Sequence, residues 1–155
     1  SPITTSSATA GQQITVEFST GTCGLVQLEP GTKATTYERQ IYSDQLAQCQ
    51  RYYTKSYDVG TAPGTASTSA GAIGNTLSAG GVTYTTGSYK VSMRTTPTVV
   101  VYNGTTGGTG TWSDGGGGSP ATSVNLNGSN GVVMYSSGGA ASSTIFGHYT
   151  ASAEL

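Results

Sequence analysis

Charged side chains are scarce in this chain. Six of its 155 residues are Lys or Arg and seven are Asp or Glu, so 8% are charged, where an ordinary soluble domain has about 25%. The basic residues are scattered singly along the sequence, and none follows Arg94. No basic stripe is therefore available to neutralise phosphate groups, and we expect no nucleic-acid partner.

Histidine and cysteine are almost absent as well. One histidine, His148, and two cysteines, Cys23 and Cys49, do not make a zinc site, and Asp114 followed by four glycines lacks the alternating carboxylates of a calcium loop. We expect no metal ion and no cofactor. The two cysteines either pair with each other or remain reduced and buried, and the second interpretation is preferred because free cysteine is usually buried.

Long apolar runs are missing too. No segment approaches the length of a membrane span, and no signal-peptide pattern stands at the N-terminus, so we expect a soluble protein that does not insert into a membrane. The chain begins at Ser1-Pro2 without Met, which is typical of a fragment or a processed chain.

The residues of a catalytic site are not evident either. His148 stands in a β-branched and aromatic segment, which favours a packed or edge residue over a catalytic base. A glycosidase needs two carboxylates about 5–10 Å apart, whereas the seven acids occur one at a time. Asp58 and Asp114 could meet in space, but nothing in the sequence favours that pair. We therefore predict a protein that is not an enzyme.

What the chain has in abundance is glycine, small polar residues and tyrosine. The 24 glycines punctuate short alternating apolar segments, and the ten tyrosines indicate packed surfaces rather than disorder. Thr98 to Tyr102, β-branched and apolar on both faces, is predicted to be a central buried strand. The other predicted strands are 14–18, 25–28, an extended run 34–41, short strands within 59–89, 90–94, 124–126, 132–135, 144–149 and 149–155.

This spacing of strands and glycine turns predicts an all-β fold, an antiparallel β-sandwich of jelly-roll-like architecture. Asn103-Gly104, Asn127-Gly128 and Asn130-Gly131 are hairpin or turn signals because both positions tolerate positive φ. The pairs at Asn103 and Asn127 also fit the glycosylation pattern, but the turn interpretation explains both without it.

One short helix is predicted near residues 43–54. Ser43 suits an N-cap, Asp44 places a negative charge in the first turn, and apolar residues follow at helical spacing. Those apolar residues are Leu46, Cys49, Tyr52 and Tyr53. Because so short a helix is not stable alone, we expect its apolar stripe to pack against a sheet or a neighbouring chain.

Candidate ligand-binding residues lie in and near the long glycine-rich loop 104–119. An aromatic plane beside small polar donors suits sugar rings and their hydroxyls. The candidates are Trp112, Asp114, Tyr102, Tyr135 and Tyr149. The alternative is structural: the tyrosines fill a core that is short of Leu and Ile, and Trp112 caps an open end of the sandwich.

Four segments resemble tail-fibre, tail-spike and related virion proteins of tailed bacteriophages. They are 27–38, 46–53, 93–99 and 147–155, and the most specific motif is Cys49-Gln50-Arg51-Tyr52-Tyr53. The resemblance implies a β-rich distal module of a homotrimer in the virion, with other virion proteins and bacterial surface glycans as partners. No ligand site follows from it, because Cys49, Tyr52 and Tyr53 match as packing residues between helix and sheet or between subunits.

The same resemblance suggests the domain division. Residues 1–42 are the end of a preceding β module or an N-terminal extension, too short for a whole jelly roll, and residues 43–155 are the distal β-sandwich domain. The leading functional hypothesis is a receptor-binding domain of a tail fibre or spike that attaches to host saccharide. The alternatives are a structural or decoration module, such as a head fibre, acting in assembly, and a fragment of a polysaccharide depolymerase.

Overall fold

A computed structural model of the chain describes residues 21, 24, 27, 33, 35, 36, 41–68, 71–79 and 81–154. The predicted strands 14–18 and 25–28, most of the run 34–41, and Cys23 lie outside the described residues. The chain divides into two compact units, Ser1–Ile41 and Tyr42–Leu155, and the second unit holds the elements described below.

The second unit is an antiparallel β-sandwich with one short helix, as the sequence predicts. Its elements in chain order are α1 Tyr42–Gln50, β1 Tyr53–Lys55, β2 Ile73–Thr76, β3 Val82–Ser88, β4 Thr98–Asn103, β5 Ser113–Asp114, β6 Ala121–Asn127, β7 Gly131–Ser137 and β8 Thr144–Ser152. The predicted strands 144–149 and 149–155 form the single strand β8.

The first sheet, called the β8 sheet below, is built around β8. Along one side, β8 pairs with β1 near Ser152 and with β2 near Gly147. Along the other side it pairs with β4 and then with β5. Five consecutive residues of β8, from Gly147 to Ala151, are buried. They are buried because other strands flank β8 on both sides and other segments cover both of its faces.

The prediction that Thr98 to Tyr102 is the central strand is wrong. Among the described strands β4 pairs with β8 alone, and Val100 remains 36% exposed. The strand is apolar on its outer face as well, because Tyr102 packs there edge to face against the Tyr57 ring, at a centroid distance of 5.9 Å. β-branched content therefore marked a strand correctly but not its place in the sheet.

The second sheet, called the β7 sheet below, has the strand order β3-β7-β6. The hairpin predicted from Asn127-Gly128 and Asn130-Gly131 is confirmed, since β6 and β7 pair antiparallel and the Gly128 N–H donates to the Gly131 carbonyl at 3.0 Å. A β-bulge between Val124 and Leu126 interrupts the register. The strands expected within 59–89 are β2 and β3.

The core lies between the sheets and is unusually aromatic. Tyr149 of β8 spans it: a Cβ on Gly87 of β3 would lie 3.1 Å from the Tyr149 ring, and the Tyr149 hydroxyl donates to the Ser88 carbonyl at 3.3 Å. The buried core residues are Leu77, Tyr89, Met93, Val101, Trp112, Val132, Met134, Ile145, Tyr149, Ala151 and Ala153. A glycine at position 87 is therefore what lets a large side chain reach the opposite sheet.

The predicted strand 90–94 is absent. The Met93 N–H donates to the Ser129 carbonyl at 2.7 Å, and the Arg94 N–H donates to the Arg51 carbonyl at 2.8 Å. These acceptors belong to a hairpin turn and to the turn after α1, so the segment is anchored without a strand partner. The alternation that suggested a strand reflects the burial of Met93, which is 3% exposed.

The helix forms close to where the sequence predicts it, but its apolar stripe is not packed. No residue of α1 is buried, and Leu46 is 41% exposed. The helix ends at Gln50, and Tyr53 already belongs to β1, where it pairs with Ser152. The expectation of a buried thiol is wrong for Cys49, which is free and exposed because α1 has no buried face.

Candidate functional site

The long loop after β4 is organised by Asn103. This side chain is fully buried, and its oxygen accepts hydrogen bonds from the N–H groups of Thr105 and Thr106 at 2.9 Å each. Its nitrogen donates to the hydroxyls of Thr111 and Ser119 at 3.3 Å each. The Asn103 side-chain amide is buried and all of its hydrogen-bonding groups have partners. This supports the interpretation of Asn103-Gly104 as a turn and not as a glycosylation site.

Asp114 has a similar internal role. The residue is 8% exposed, and its carboxylate accepts hydrogen bonds from the N–H groups of Gly116 and Gly118, the first at 3.1 Å. Its own N–H donates to the Gly118 carbonyl at 3.0 Å. The side chain therefore folds the glycine turn that follows it, and this surface offers little of the carboxylate to a sugar hydroxyl.

The expectation that Trp112 stacks on a ligand is corrected by its burial. The indole is 0% exposed and lies against the backbone of Gly147, where a Cβ would overlap the ring. Its Nε1 is buried without a hydrogen-bond partner. Trp112 is thus a core residue, held by the glycine of β8, and it presents no ring face to solvent.

The three candidate tyrosines do not converge. Tyr149 crosses the core, and Tyr102 lies on the face of the β8 sheet that is turned away from the core, beside Tyr57. Of these three tyrosines, only Tyr135 lies on the outer face of the β7 sheet, between the buried residues Met134 and Ser136. A ligand-binding role for Tyr102, Tyr135 or Tyr149 stays a prediction, but the five candidates do not form one site.

His148 is packed, as its strand position indicates. Its ring is fully buried and stacked on Tyr57 at a centroid distance of 3.9 Å. One ring nitrogen, Nδ1, lies 3.1 Å from the Ser56 hydroxyl, and Nε2 lies 3.0 Å from the Ser67 carbonyl. Because a carbonyl only accepts, Nε2 carries the proton and Nδ1 accepts from Ser56. The ring thereby fixes the segment after β1 to the outer face of the β8 sheet.

Within the described residues, no group of three or more His, Cys, Asp and Glu side chains is arranged to hold a metal ion. None of the helices that the structure describes is long and apolar enough to cross a membrane.

An accessible pair of aromatic rings lies on the outer face of the β7 sheet. Tyr84 of β3 is 59% exposed and pairs with Tyr135 of β7, and their ring centroids are 5.2 Å apart with an interplanar angle of 49°. The next row pairs Thr86 with Val133, which also pairs with Leu126 of β6. We call this surface the Tyr84 face, defined by Tyr84, Thr86, Ser123, Leu126, Val133 and Tyr135.

The Tyr84 face is uncharged. The three strands that form it contain no Asp, Glu, Lys or Arg. Leu126 is 63% exposed, so apolar area remains open to solvent beside the exposed hydroxyl residues Thr86 and Ser123. Apolar planes together with a few polar groups are the composition of many ligand sites, and loops and strands of a rigid sandwich hold them in place.

An open depression of about 350 Å³ continues this face towards the β6–β7 turn. It is lined by Thr86, Gly87, Ser88, Leu126, Asn127, Gly128, Asn130, Gly131, Val132 and Val133. Asn127 is committed to the fold: its oxygen accepts from the Tyr89 hydroxyl at 3.0 Å and its nitrogen donates to the Pro97 carbonyl. The exposed polar residues left at the rim are Thr86, Ser88 and Asn130.

Several tyrosines near the core hold their protons strongly. Burial raises the pKa of Tyr89 from 10.0 to about 12, and repulsion from Tyr149 adds to the effect. Burial likewise raises the pKa of Tyr149 and of Tyr57. These phenols therefore stay neutral at ordinary pH, where Tyr89 and Tyr149 donate hydrogen bonds and Tyr57 accepts one from the Gly64 N–H.

Sequence reasoning missed Tyr84 and Leu126. Tyr84 stands in the uncharged alternation of residues 82–88, and the period of two does place it on the same strand face as Thr86. The cross-strand partner of Tyr84 could not be predicted from the sequence, because β3 and β7 are separated by more than forty residues of chain.

Comparisons with protein-family models, with curated proteins and with solved structures find no match to this chain.

Proposed function

We propose that this chain is the distal receptor-binding domain of a bacteriophage tail fibre or spike, and that it attaches the virion to a saccharide on the host surface without converting it chemically. The observation that carries this proposal is the Tyr84 face. It offers two neighbouring tyrosine rings and uncharged hydroxyl residues on a rigid antiparallel sheet. The phage context comes from the sequence resemblance around Cys49-Gln50-Arg51-Tyr52-Tyr53.

A saccharide suits this face for physical reasons. The apolar side of a sugar ring stacks on an aromatic plane, and its hydroxyls exchange hydrogen bonds with side-chain hydroxyls. The rings of Tyr84 and Tyr135, tilted by 49° to each other, each supply an aromatic plane, while Thr86 and Ser123 supply exposed hydroxyls on the same face. Attachment needs no acid, base or nucleophile, which agrees with the internal roles of Asp114 and His148.

The homotrimer is part of the proposal, and α1 supports it. Tyr42 is 75% exposed and Leu46 is 41% exposed, although apolar helix residues are normally covered. Tyr42, Leu46 and Cys49 follow one another at spacings of four and three residues, the spacing of a seam between helices. Light scattering after size exclusion is expected to give a molar mass near three times 15.6 kDa, and a monomer would contradict the trimer.

The exposed helix also favours a second candidate function. A structural or decoration module of the virion acts through contacts between chains, and α1 offers apolar residues for such contacts. In that case the Tyr84 face has no glycan to bind, and binding to host cells does not depend on Tyr84.

The experiment that separates these candidates is a cell-binding assay. Fluorescently labelled protein is incubated with a panel of bacterial strains, and the bound strains are then treated with periodate, which cleaves sugar diols, or with protease. We expect binding that periodate abolishes and protease spares. The reverse pattern would contradict a saccharide receptor, and binding to no strain would favour the assembly function.

The site is tested in the same assay with two matched variants. Tyr84→Ala removes an exposed tyrosine from the Tyr84 face, and Val59→Ala removes a side chain that is 97% exposed and lies outside both the Tyr84 face and α1. We expect Tyr84→Ala to lose most of the cell binding and Val59→Ala to keep it, with both variants folded by circular dichroism. Equal binding by both variants would exclude the Tyr84 face as the attachment site.

A further inference from the structure

We infer that the ligand of the Tyr84 face is an uncharged oligosaccharide that lies along β7, with one sugar on the tyrosine pair and the next in the depression beside Val133. The inference rests on the proposed function and adds to it the charge class, the direction and the minimum length of the ligand.

The direction follows from the register of the sheet. The row that contains Tyr84 and Tyr135 is followed, two residues along each strand, by the row that contains Thr86 and Val133. Strands rise about 3.4 Å per residue, so the two rows are about 7 Å apart. Thr86 and Val133 also line the depression. The aromatic plane and the depression are therefore adjacent subsites on one continuous surface.

The charge class follows from what the surface contains. None of the residues that line the depression is charged, and none of the residues of the Tyr84 face is charged. Lys90, the charged residue closest along the chain to Ser88, is not among the lining residues. Placing an anionic sugar against an apolar surface without a cationic partner removes water from its charge and is unfavourable. Neutral sugars avoid this penalty.

The polar groups at the rim suit neutral hydroxyls. Thr86, Ser88 and Asn130 are exposed, and their hydroxyl and amide groups both donate and accept hydrogen bonds. A sugar hydroxyl also does both, so it can be matched in either direction. Leu126 and Val133 also line the depression and offer apolar side chains to a second sugar ring.

The test is a glycan array of bacterial oligosaccharides in two classes, neutral sugars and sugars that carry uronic acid or phosphate groups, each from one to four units long. We expect the strongest signals from neutral members, with affinity rising by about tenfold or more from one unit to two or three units. A preference for acidic members would overturn the inference and leave the proposed function standing. Equal affinity at every length would overturn the extended site.

Two lysine variants make the charge argument sharper. Thr86→Lys places a positive charge at the junction of the two subsites, and Thr98→Lys places one at an exposed position of β4 in the other sheet. We expect Thr86→Lys to weaken neutral binding and to gain acidic ligands, and Thr98→Lys to behave like the native chain. If both variants keep the native profile, the charge class is not set at this face and the inference fails.

The outcome that would overturn the proposed function is different and can be recognised. It is the absence of signal from every glycan, together with cell binding that resists periodate. A second copy of this chain on the Tyr84 face would be detected by a molar mass that falls when Thr86→Lys is introduced, and that result would also overturn the inference.

Discussion

Tyr84 and Tyr135 stand directly opposite each other on β3 and β7, with their ring centroids 5.2 Å apart. The strands that bring them together are separated by more than forty residues along the chain, and the pair remains accessible because Tyr84 is 59% exposed. Two aromatic rings in an exposed row contribute little to a core. This exposed pair is the observation on which the proposed ligand site rests.

The tyrosine pair is expected to affect binding much more than folding. Single Ala substitutions at Tyr84 and Tyr135 are expected to lower the free energy of unfolding by at most about 1 kcal/mol, the usual scale of an exposed cross-strand pair. Each is expected to weaken glycan affinity by about tenfold. Because the two rings are in contact, with centroids 5.2 Å apart, the losses in the double variant are expected to be less than additive. Calorimetric titration and urea denaturation measure the two quantities, and additive losses would mean independent contacts.

Gly147 is expected to tolerate no side chain. A Cβ at this position would overlap the buried Trp112 indole, so Gly147→Ala is expected to lower the free energy of unfolding by about 3 kcal/mol. Gly128→Ala is the control, because a Cβ there meets nothing within 4 Å. Its expected effect on urea denaturation is within about 0.5 kcal/mol. Similar values for the two variants would show that Trp112 is not packed against β8.

Asp114 is expected to matter for the loop and not for the ligand. Asp114→Ala leaves the N–H groups of Gly116 and Gly118 without their acceptor and is expected to cost about 1–3 kcal/mol of stability. Asp114→Asn keeps a side-chain oxygen and is expected to lose less. Both variants are expected to bind glycan with native affinity, measured under conditions where they are folded. A folded Asp114→Asn that no longer binds would restore Asp114 as a ligand contact.

Stability is expected to fall at alkaline pH through the buried phenols. Tyr89 has a pKa of about 12 in the folded chain and 10.0 as a free group, so the unfolded chain loses its proton first. The contribution is complete below about pH 10 and is lost as the pH rises towards about 12. Tyr89→Phe is expected to flatten the fall of the denaturation midpoint in this window. A slope equal to that of the native chain would contradict the assignment to Tyr89.

Local patterns in the sequence predicted the local structure well. The Asn-Gly pairs placed the β6–β7 hairpin correctly, although Asn127, Gly128, Asn130 and Gly131 do not adopt the positive φ that was expected of them. The spacing signal placed α1 to within a few residues of its observed bounds, but the helix begins at Tyr42, so Ser43 is a helical residue and the N-cap prediction is wrong. Glycine turns at short intervals gave the all-β sandwich, because strand length and turn spacing are short-range properties.

What could not be predicted depends on contacts between distant parts of the chain. Trp112 in a glycine loop has the signature of a binding loop, but a glycine in β8 makes a pocket for it in the core. The apolar character of Thr98 to Tyr102 does not reveal that β8 is the central strand. The register of two paired strands decides which exposed residues become neighbours. The Tyr84–Tyr135 pair could therefore not be predicted without knowing that β3 pairs with β7.

The central claim is that the Tyr84 face is where the chain attaches to its receptor. Hydrogen–deuterium exchange of the full chain, with and without the neutral oligosaccharide that binds best on the array, tests it most directly. The account predicts that binding slows exchange in β3, in β7 and in the β6–β7 turn, and leaves loop 104–119 and α1 unchanged. Protection confined to loop 104–119 or to α1 would contradict it.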